Sequence, residues 1–269
     1  MENETQQSRK NKGILRVITP LIIVGVIILL AILAAAIIRQ IDPVPRIKNH
    51  PEPHHTTGIE LFINAGCPFK ELGVWLCTAG SPLFKLGCHQ IRELQLAGGF
   101  QPYMPIATCL VVPYYINSQS PGIAYSEMKE EGKYFFTVGG ASLRFVRYVA
   151  WRNNQFEIIK TIEDLRMIFA PIENASEALS YALATNDLFA LYGIKYEPQY
   201  TYFVKSLEDT YVEATTDGYL VHLFHYQLYS CGPHITSAVT VRVSRDGLSE
   251  KISTTPLFKD PAQDLLCID

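Results

Sequence analysis

The sequence predicts an α+β fold: an antiparallel β-meander with two short helices packed on the sheet and a stapled subregion rich in Cys, Pro and Gly, preceded by one N-terminal transmembrane helix. Apolar and polar residues alternate over the last third of the chain, two helix-capping patterns stand before it, and one long apolar run lies near the N-terminus. With 269 residues, 48% of them hydrophobic, the chain is long enough for one packed domain besides these ends.

The apolar run Leu21–Ile38 contains no charged side chain. With the residues just before Pro20 it covers about 18–22 residues, enough for a helix to cross a bilayer core of about 30 Å. We therefore expect a cytosolic tail over residues 1–16 and a transmembrane helix over residues 17–38. Basic residues are slightly denser before the span, which favours an N-terminus inside and a domain outside. They are Arg9, Lys10, Lys12 and Arg16 before the span, and Arg39, Arg46 and Lys48 after it.

A cleaved signal peptide is the alternative interpretation of this run. Ala34, Ala35 and Ala36 offer a small-residue cleavage site. However, the apolar stretch is longer than the usual signal-peptide core of about 7–15 residues, so an uncleaved signal-anchor is preferred. Both interpretations place the rest of the chain outside the cell membrane.

Residues 39–58 are predicted to form a semi-rigid stalk. Repeated prolines favour an extended backbone, and they stand at Pro43, Pro45, Pro51 and Pro53. The same stretch contains His50, His54 and His55. An extended tract gives such histidines no fixed geometry for a metal, so a solvated linker is the preferred interpretation.

Residues 59–269 are predicted to form the exoplasmic α+β domain. Up to about residue 125 the chain is dense in Cys, Pro and Gly, which indicates short strands and turns without helices. Strands are predicted over Lys133–Gly140 and Ser142–Trp151, followed by a turn at "NNQ" and a short strand "FEII".

Two helices are predicted next, because the capping signature occurs twice. Thr161 with Asp164 opens "IEDLRMIF", which Pro171 ends. Asn174 with Glu177 opens "ASEALSYALAT", whose apolar residues share one stripe. We expect this pair to be buried on the sheet.

About five antiparallel strands in sequence order are predicted between Gln199 and Thr255. Asp217-Gly218 and Asp246-Gly247 supply turn residues. The longest strand, Tyr219–Tyr229, is apolar on both faces. We therefore expect the helices to cover one face and the Cys-rich region to cover the other.

All six cysteines follow the predicted span, at Cys67, Cys77, Cys88, Cys109, Cys231 and Cys267. An even number confined to the outside part predicts disulfides. A zinc site would need pairs about two to four residues apart, which the sequence lacks, so no metal is expected. We expect Cys231 to pair with Cys267 and to pin the C-terminal tail, and the first four to pair among themselves in one of three arrangements.

The sequence contains no recognised catalytic motif, and we expect neither a catalytic residue nor a cofactor. Charged residues are only 18% of the chain, the net charge is -3 and no block of like charge occurs, which argues against nucleic acid as a partner. The N-terminal helix predicts the lipid bilayer as one partner. We expect the outer domain to bind or assemble with a protein or glycan of the cell envelope.

The candidate binding surface lies in the meander, where exposed tyrosines could hold a peptide or sugar. It consists of Tyr200, Tyr202, Tyr211, His225 and His234. Tyrosines are also good cross-strand partners, so a purely structural role competes. The alternative function is an envelope hydrolase or thiol-dependent enzyme using His225 or His234. His222 and His225 cannot share a metal, since residues three apart on a strand point to opposite faces.

Overall fold

The computed structural model describes residues 44–55, 58–112, 134–139, 144–228 and 230–268. The predicted tail and transmembrane helix lie outside these residues. Within the described ranges no helix is both long enough and apolar enough to cross a membrane. From Pro45 onward the chain forms one compact unit. This unit has an α+β fold with antiparallel sheets, few helices and three disulfides, as predicted.

Most described strands belong to two sheets. In chain order they are β1 (Arg46–Lys48), β2 (Phe69–Glu71), β3 (Val74–Leu76), β4 (Gln90–Glu93), β5 (Ile106–Val111), β6 (Phe136–Val138), β7 (Arg144–Arg152), β8 (Gln155–Ile159), β9 (Thr201–Tyr202), β10 (Ser206–Glu208), β11 (Tyr211–Ala214), β12 (Gly218–Tyr226), β13 (Ser230–Cys231), β14 (Ile235–Ser244), β15 (Ser249–Lys259) and β16 (Cys267–Ile268). The α-helices are α1 (Ile59–Asn64), α2 (Pro82–Lys85), α3 (Ile162–Phe169) and α4 (Ala175–Thr185).

The first sheet has the order β2-β3-β4-β5-β7-β6, and β8 pairs with the later part of β7. The strands β6, β7 and β8 match the predicted strands of this region. Asn153 and Asn154 join β7 to β8 with positive φ angles of 52° and 61°. Two consecutive left-handed residues form the turn that fits the twist of a hairpin, and Asn tolerates this conformation.

The second sheet has the order β11-β12-β14-β15-β9. The prediction of a meander in sequence order is therefore right for four strands and wrong for β9, and β10 is a strand that the sequence did not predict. β9 pairs with β15, where Tyr202 lies opposite Phe258 and the Tyr200 ring stacks on Phe258 at 5.4 Å. This aromatic packing, which no sequence spacing encodes, holds β9 at the far edge. β10 leaves the sheet and pairs in parallel with β1.

Both predicted helices are present with their caps. The Thr161 hydroxyl accepts a hydrogen bond from Asp164 N (3.0 Å), and the Asp164 carboxylate accepts one from Thr161 N (3.1 Å). The Asn174 side chain accepts from Glu177 N (3.0 Å). Helix α4 is buried along most of its length and packs on both sheets: Tyr148 of β7 donates to the Ala184 carbonyl (2.6 Å), and β12 and β14 lie against the helix.

The two faces of β12 are covered by different parts of the chain. Val221 and Leu223 are fully buried in the cluster that contains α3 and α4, as predicted. On the opposite face Phe224 packs with Leu207 and Leu257. The expectation that the Cys-rich region covers this face is wrong, because that region packs on the first sheet instead. Strand alternation separates the two sides there: even-numbered residues of β7 face the helices and odd-numbered ones face the cysteines.

The Cys-rich subregion contains the short helices α1 and α2, where the sequence predicts strands and turns. Helices of six and four residues are too short to show a helical period. Two bridges, Cys67–Cys77 and Cys88–Cys109, lie in its core and resolve the predicted pairing among the first four cysteines.

His89 makes the Cys-rich subregion sensitive to acid. Its ring is 3% exposed, its Nδ1 accepts a hydrogen bond from Val112 N (2.9 Å), and burial lowers the pKa of His89 to about 4. The unfolded chain binds a proton near the ordinary histidine pKa of about 6.5, whereas the folded chain does so only near pH 4. Stability is therefore fully present above about pH 6.5 and falls by up to about 3 kcal/mol towards pH 4.

We expect His89→Gln to flatten this pH dependence, since a glutamine oxygen can accept from Val112 but does not titrate. Urea denaturation at neutral and acidic pH measures the effect in both proteins. The variant should lose less stability between the two conditions than the parent chain. An equal loss in both would assign the acid sensitivity to other groups.

The C-terminal tail is fastened to the end of the second sheet. Cys231 and Cys267 are bridged across the β13–β16 pair with their Cα atoms 4.0 Å apart, so the predicted disulfide is confirmed. His234 is 2% exposed, and its two ring nitrogens lie 2.8 Å and 3.0 Å from the carbonyl oxygens of Gln227 and Leu266. This histidine therefore holds the tail in place beside the bridge.

Candidate binding site

The segment of residues 45–55, called the strap below, is docked on the domain. Its strand β1 pairs in parallel with β10, with Arg46 opposite Ser206 and Lys48 opposite Glu208. Ile47 packs against the cluster around Leu207 and Phe224. The interpretation of the stalk as a solvated linker is wrong for these residues, because alternation in "RIK" directs an apolar side chain inward and the backbone finds a strand partner.

Asp209 anchors the strap through a buried carboxylate that is 1% exposed. It accepts backbone hydrogen bonds from His50 N (3.1 Å), Gly193 N (2.9 Å) and Ile194 N (3.1 Å), and a fourth from the Asn49 side chain (3.0 Å). Burial alone would raise the pKa of Asp209, but these donors outweigh it and hold the pKa below its usual value. One charged group thus joins the strap to the loop after α4.

An aromatic stack continues from the strap into the second sheet. The His50 ring stacks on Tyr211 with centroids 5.1 Å apart, and the His222 ring stacks on Tyr211 at 4.1 Å. His50 Nε2 also lies 2.8 Å from the Glu208 carboxylate. Together these contacts fix the Tyr211 ring. Among the described residues, no stacking contact joins the strap to another residue of the predicted surface.

The far end of the strap reaches helix α4. His55 Nε2 lies 2.9 Å from the Ser176 hydroxyl. Desolvation, with a smaller contribution from the neighbouring His54, lowers the pKa of His55, which favours the neutral ring. The strap is therefore held at both ends, by Asp209 near β10 and by Ser176 on α4.

A groove of about 340 Å³ lies between the strap, α4 and β11, and we call it the strap groove. Its walls are mostly apolar and include two prolines and two tyrosines. The side chains that line it include Pro51, Pro53, Leu179, Tyr192, Tyr211 and Val212. Glu52 and Glu213 are exposed, and their charges act on the groove residues Tyr192 and Tyr211 respectively. The groove therefore combines an apolar, aromatic surface with a negatively charged margin.

The strand that borders the groove has an unpaired edge. β11 is the first strand of the second sheet, and no other described strand pairs with its outer side. Thr215 N donates to Gly218 O (2.9 Å), so these two residues form a hydrogen-bonded pair. Such pairs alternate with non-hydrogen-bonded pairs along an antiparallel ladder, and the next hydrogen-bonded residues of β11 are therefore Glu213 and Tyr211. The backbone groups of Val212 and Ala214 consequently point away from β12, and Val212 does so at the groove.

The five predicted surface residues are not brought together. Tyr211 borders the groove, whereas Tyr200 and Tyr202 pack around Phe258 at the opposite edge of the sheet. His234 is buried under the tail, and His225 lies on β12 on the face opposite His222. Sequence reasoning missed the contributions of the strap prolines because repeated prolines are typical of a free stalk as well.

The described residues contain no group of His, Cys, Asp and Glu side chains that could hold a metal ion. All six cysteines are paired in disulfides. The described residues form an open groove with aromatic faces beside a strand edge that no described strand pairs with. No protein-family model matches the chain, and comparisons with characterised proteins and with solved structures find no similar protein.

Proposed function

We propose that this chain is a single-pass membrane protein whose extracytoplasmic domain binds an extended segment of an envelope protein in the strap groove. The observation that carries the proposal is the unpaired edge of β11 beside an apolar, tyrosine-lined groove. An extended peptide binds such an edge by adding a strand: main-chain hydrogen bonds give affinity, and pockets for alternate side chains give specificity. Tyrosine faces could also stack on a glycan, but the free backbone groups favour a peptide.

The proposed location rests on two features. The run Leu21–Ile38 has the length and composition of a membrane anchor, with basic residues in excess before it. All six cysteines behind it are bridged, and structural disulfides persist in oxidising compartments outside the cytosol. Both features support the proposal of a domain on the outer side of the membrane, with the N-terminus in the cytoplasm.

The groove also indicates the chemistry of the bound segment. A side chain that enters it meets the rings of Tyr192 and Tyr211 and the prolines of the strap, so an apolar or proline residue fits best. Carboxylates on Glu52 and Glu213 lie at the margin and favour a basic residue next to it. The preferred ligand is an extended segment in which apolar and basic residues alternate.

The enzyme alternative receives little support from His234 and from the cysteines. Both ring nitrogens of His234 face backbone carbonyl oxygens, which leaves this ring no nitrogen for proton transfer to a substrate. The bridged cysteines supply no thiolate nucleophile. A binding role is therefore preferred over a hydrolase or thiol-dependent enzyme.

Val212→Pro tests the proposal, because it removes the outward N–H of the β11 edge without removing a bond to β12. Edge strands accept proline where the N–H faces away from the ladder. Peptides selected from a display library on the full-length protein in lipid nanodiscs serve as probes. We expect the substitution to weaken their binding about tenfold or more, since a main-chain hydrogen bond is lost and the ring obstructs the edge.

Val212→Thr is the matched control, since it keeps the N–H and nearly the same shape. Its affinity for the selected peptides should stay close to that of the parent. Thermal unfolding of both variants verifies that the domain is folded. If the proline and threonine variants bind the peptides equally well, strand addition at β11 is refuted.

A further inference from the structure

A second surface of the domain lies next to the point where the chain enters it. Arg46 is the first residue of β1, and its N–H donates to the carbonyl of Lys205 (2.9 Å). Phe203 and Lys205 are both exposed, whereas Tyr202 and Val204 belong to the apolar cluster beneath them. Phe203 and Lys205 lie in the turn that joins β9 to β10, and the backbone hydrogen bond to Arg46 brings this turn next to the start of β1.

This surface exposes large aromatic side chains. Phe203 is 48% exposed and Tyr196 is 39% exposed. The Tyr196 ring stacks on Tyr202 with centroids 5.5 Å apart, and Tyr202 packs in turn on Phe258 at 5.9 Å. The exposed Tyr196 ring is thus supported by an aromatic cluster, so holding it at the surface costs little conformational entropy.

Basic residues of the same segments are exposed next to these rings in the chain. Arg46, Lys195 and Lys205 are exposed. Glu197 is the carboxylate of the same loop, is half-buried, and receives a hydrogen bond from Gln199 (3.3 Å). Lys48 forms an ion pair with Glu208, so its positive charge is balanced. We call Arg46, Lys195, Tyr196, Phe203 and Lys205 the entry patch.

The connection to the predicted anchor is short. Residues 39–45 separate Ile38, the end of the apolar run, from Arg46, which is fixed in the domain by β1. At about 3.3–3.6 Å per extended residue, seven residues span at most roughly 25 Å. A tether of this length keeps the entry patch at an effective concentration in the millimolar range next to the lipid surface, so weak contacts are enough for docking.

We propose that the entry patch docks on the bilayer surface, with Tyr196 and Phe203 in the interfacial region and the basic residues on anionic headgroups. The inference rests on the proposed membrane anchor. Tyrosine is enriched at the membrane interface, an exposed phenylalanine ring gains by burying apolar area there, and basic residues near an anionic leaflet each contribute a favourable attraction. Docking of this patch sets the orientation of the domain on the membrane, because the patch and the tether act at the same end of β1.

The test uses Phe203→Trp in the full-length protein, reconstituted in vesicles of phosphatidylcholine with and without phosphatidylglycerol. Some of the lipids carry bromine near the headgroup end of the acyl chains and quench a tryptophan that enters the interface. The parent chain measures the background from Trp75 and Trp151. We expect quenching of Trp at position 203, and more of it in the anionic vesicles. Met167→Trp, at a residue 77% exposed on α3, is the control and should show only the background.

Arg46→Gln and Lys205→Gln, added to Phe203→Trp, test the electrostatic part. In anionic vesicles each should lower the ratio of docked to undocked protein about fivefold, and both together about 25-fold. Unchanged quenching in the double variant would overturn the role of the basic residues.

Extraction with alkaline carbonate separates the two proposals. Protein that stays in the vesicles but shows no quenching of Trp at position 203 overturns docking and leaves the anchor standing. Protein that is extracted overturns the proposed anchor and the docking inference with it.

Discussion

Replacing Asp209 with alanine is expected to destabilise the domain by about 3–5 kcal/mol and to release the strap. The carboxylate is buried, and its removal leaves the backbone N–H groups of His50, Gly193 and Ile194 without their acceptor. A buried donor such as Ile194 N that loses its partner costs about 1–3 kcal/mol, whereas water reaches the half-buried His50 and the exposed Gly193 more easily and recovers part of the loss there. Because the pKa of Asp209 is depressed, its contribution is present above about pH 4 and is lost as the pH falls through the lower folded value.

Two measurements check this expectation. Urea denaturation reports the free energy of unfolding, and brief trypsin digestion reports release of the strap through cleavage after Lys48, which β1 protects in the parent. Asp187→Ala is the control, since Asp187 is exposed in the loop after α4 and should change stability by less than about 0.5 kcal/mol. An Asp209→Ala protein with the stability and trypsin resistance of the parent would show that the strap is held elsewhere.

Removing the Cys231–Cys267 bridge by a double substitution to serine should cost about 4 kcal/mol. The bridge closes a loop with a sequence separation of 36, against 10 for Cys67–Cys77. In the chain-entropy model the shorter loop contributes about 3 kcal/mol, so the two double variants should differ by about 1 kcal/mol. Denaturation under non-reducing conditions compares them with the parent. If removal of the short-loop bridge proves more damaging, native-state packing rather than loop entropy dominates these bridges.

The sequence was most informative where local chemistry decides the structure. The caps of α3 and α4, the Asn153-Asn154 turn and the apolar pattern of β12 all act within a few residues, and the structure contains each of them. The pairing of β9 with β15 and of β1 with β10 depends on which surfaces remain uncovered after the helices are packed. Such non-local choices leave no periodic signal in the sequence.

The candidate site shows the same division. Tyr211 could be named from its place in a tyrosine-rich meander, and it borders the groove. Asp209 and Val212 could not, because an Asp just before a strand and a Val within it are ordinary residues until the strap lies near them. The prolines of the strap carried a misleading signal: they favour an extended backbone, which both a free linker and a docked strand require.

The pairing of β1 with β10 has a consequence for synthesis. Lys48 and Glu208 are 160 residues apart in the chain, and the strap has no other strand partner among the described strands. At about 5–20 residues per second, roughly 10–30 s pass between the emergence of one and the other. The residues nearest the predicted anchor are thus made early and find their partner late. For that interval the strap stays without its strand partner, and β1 can join the domain only once β10 has been synthesised.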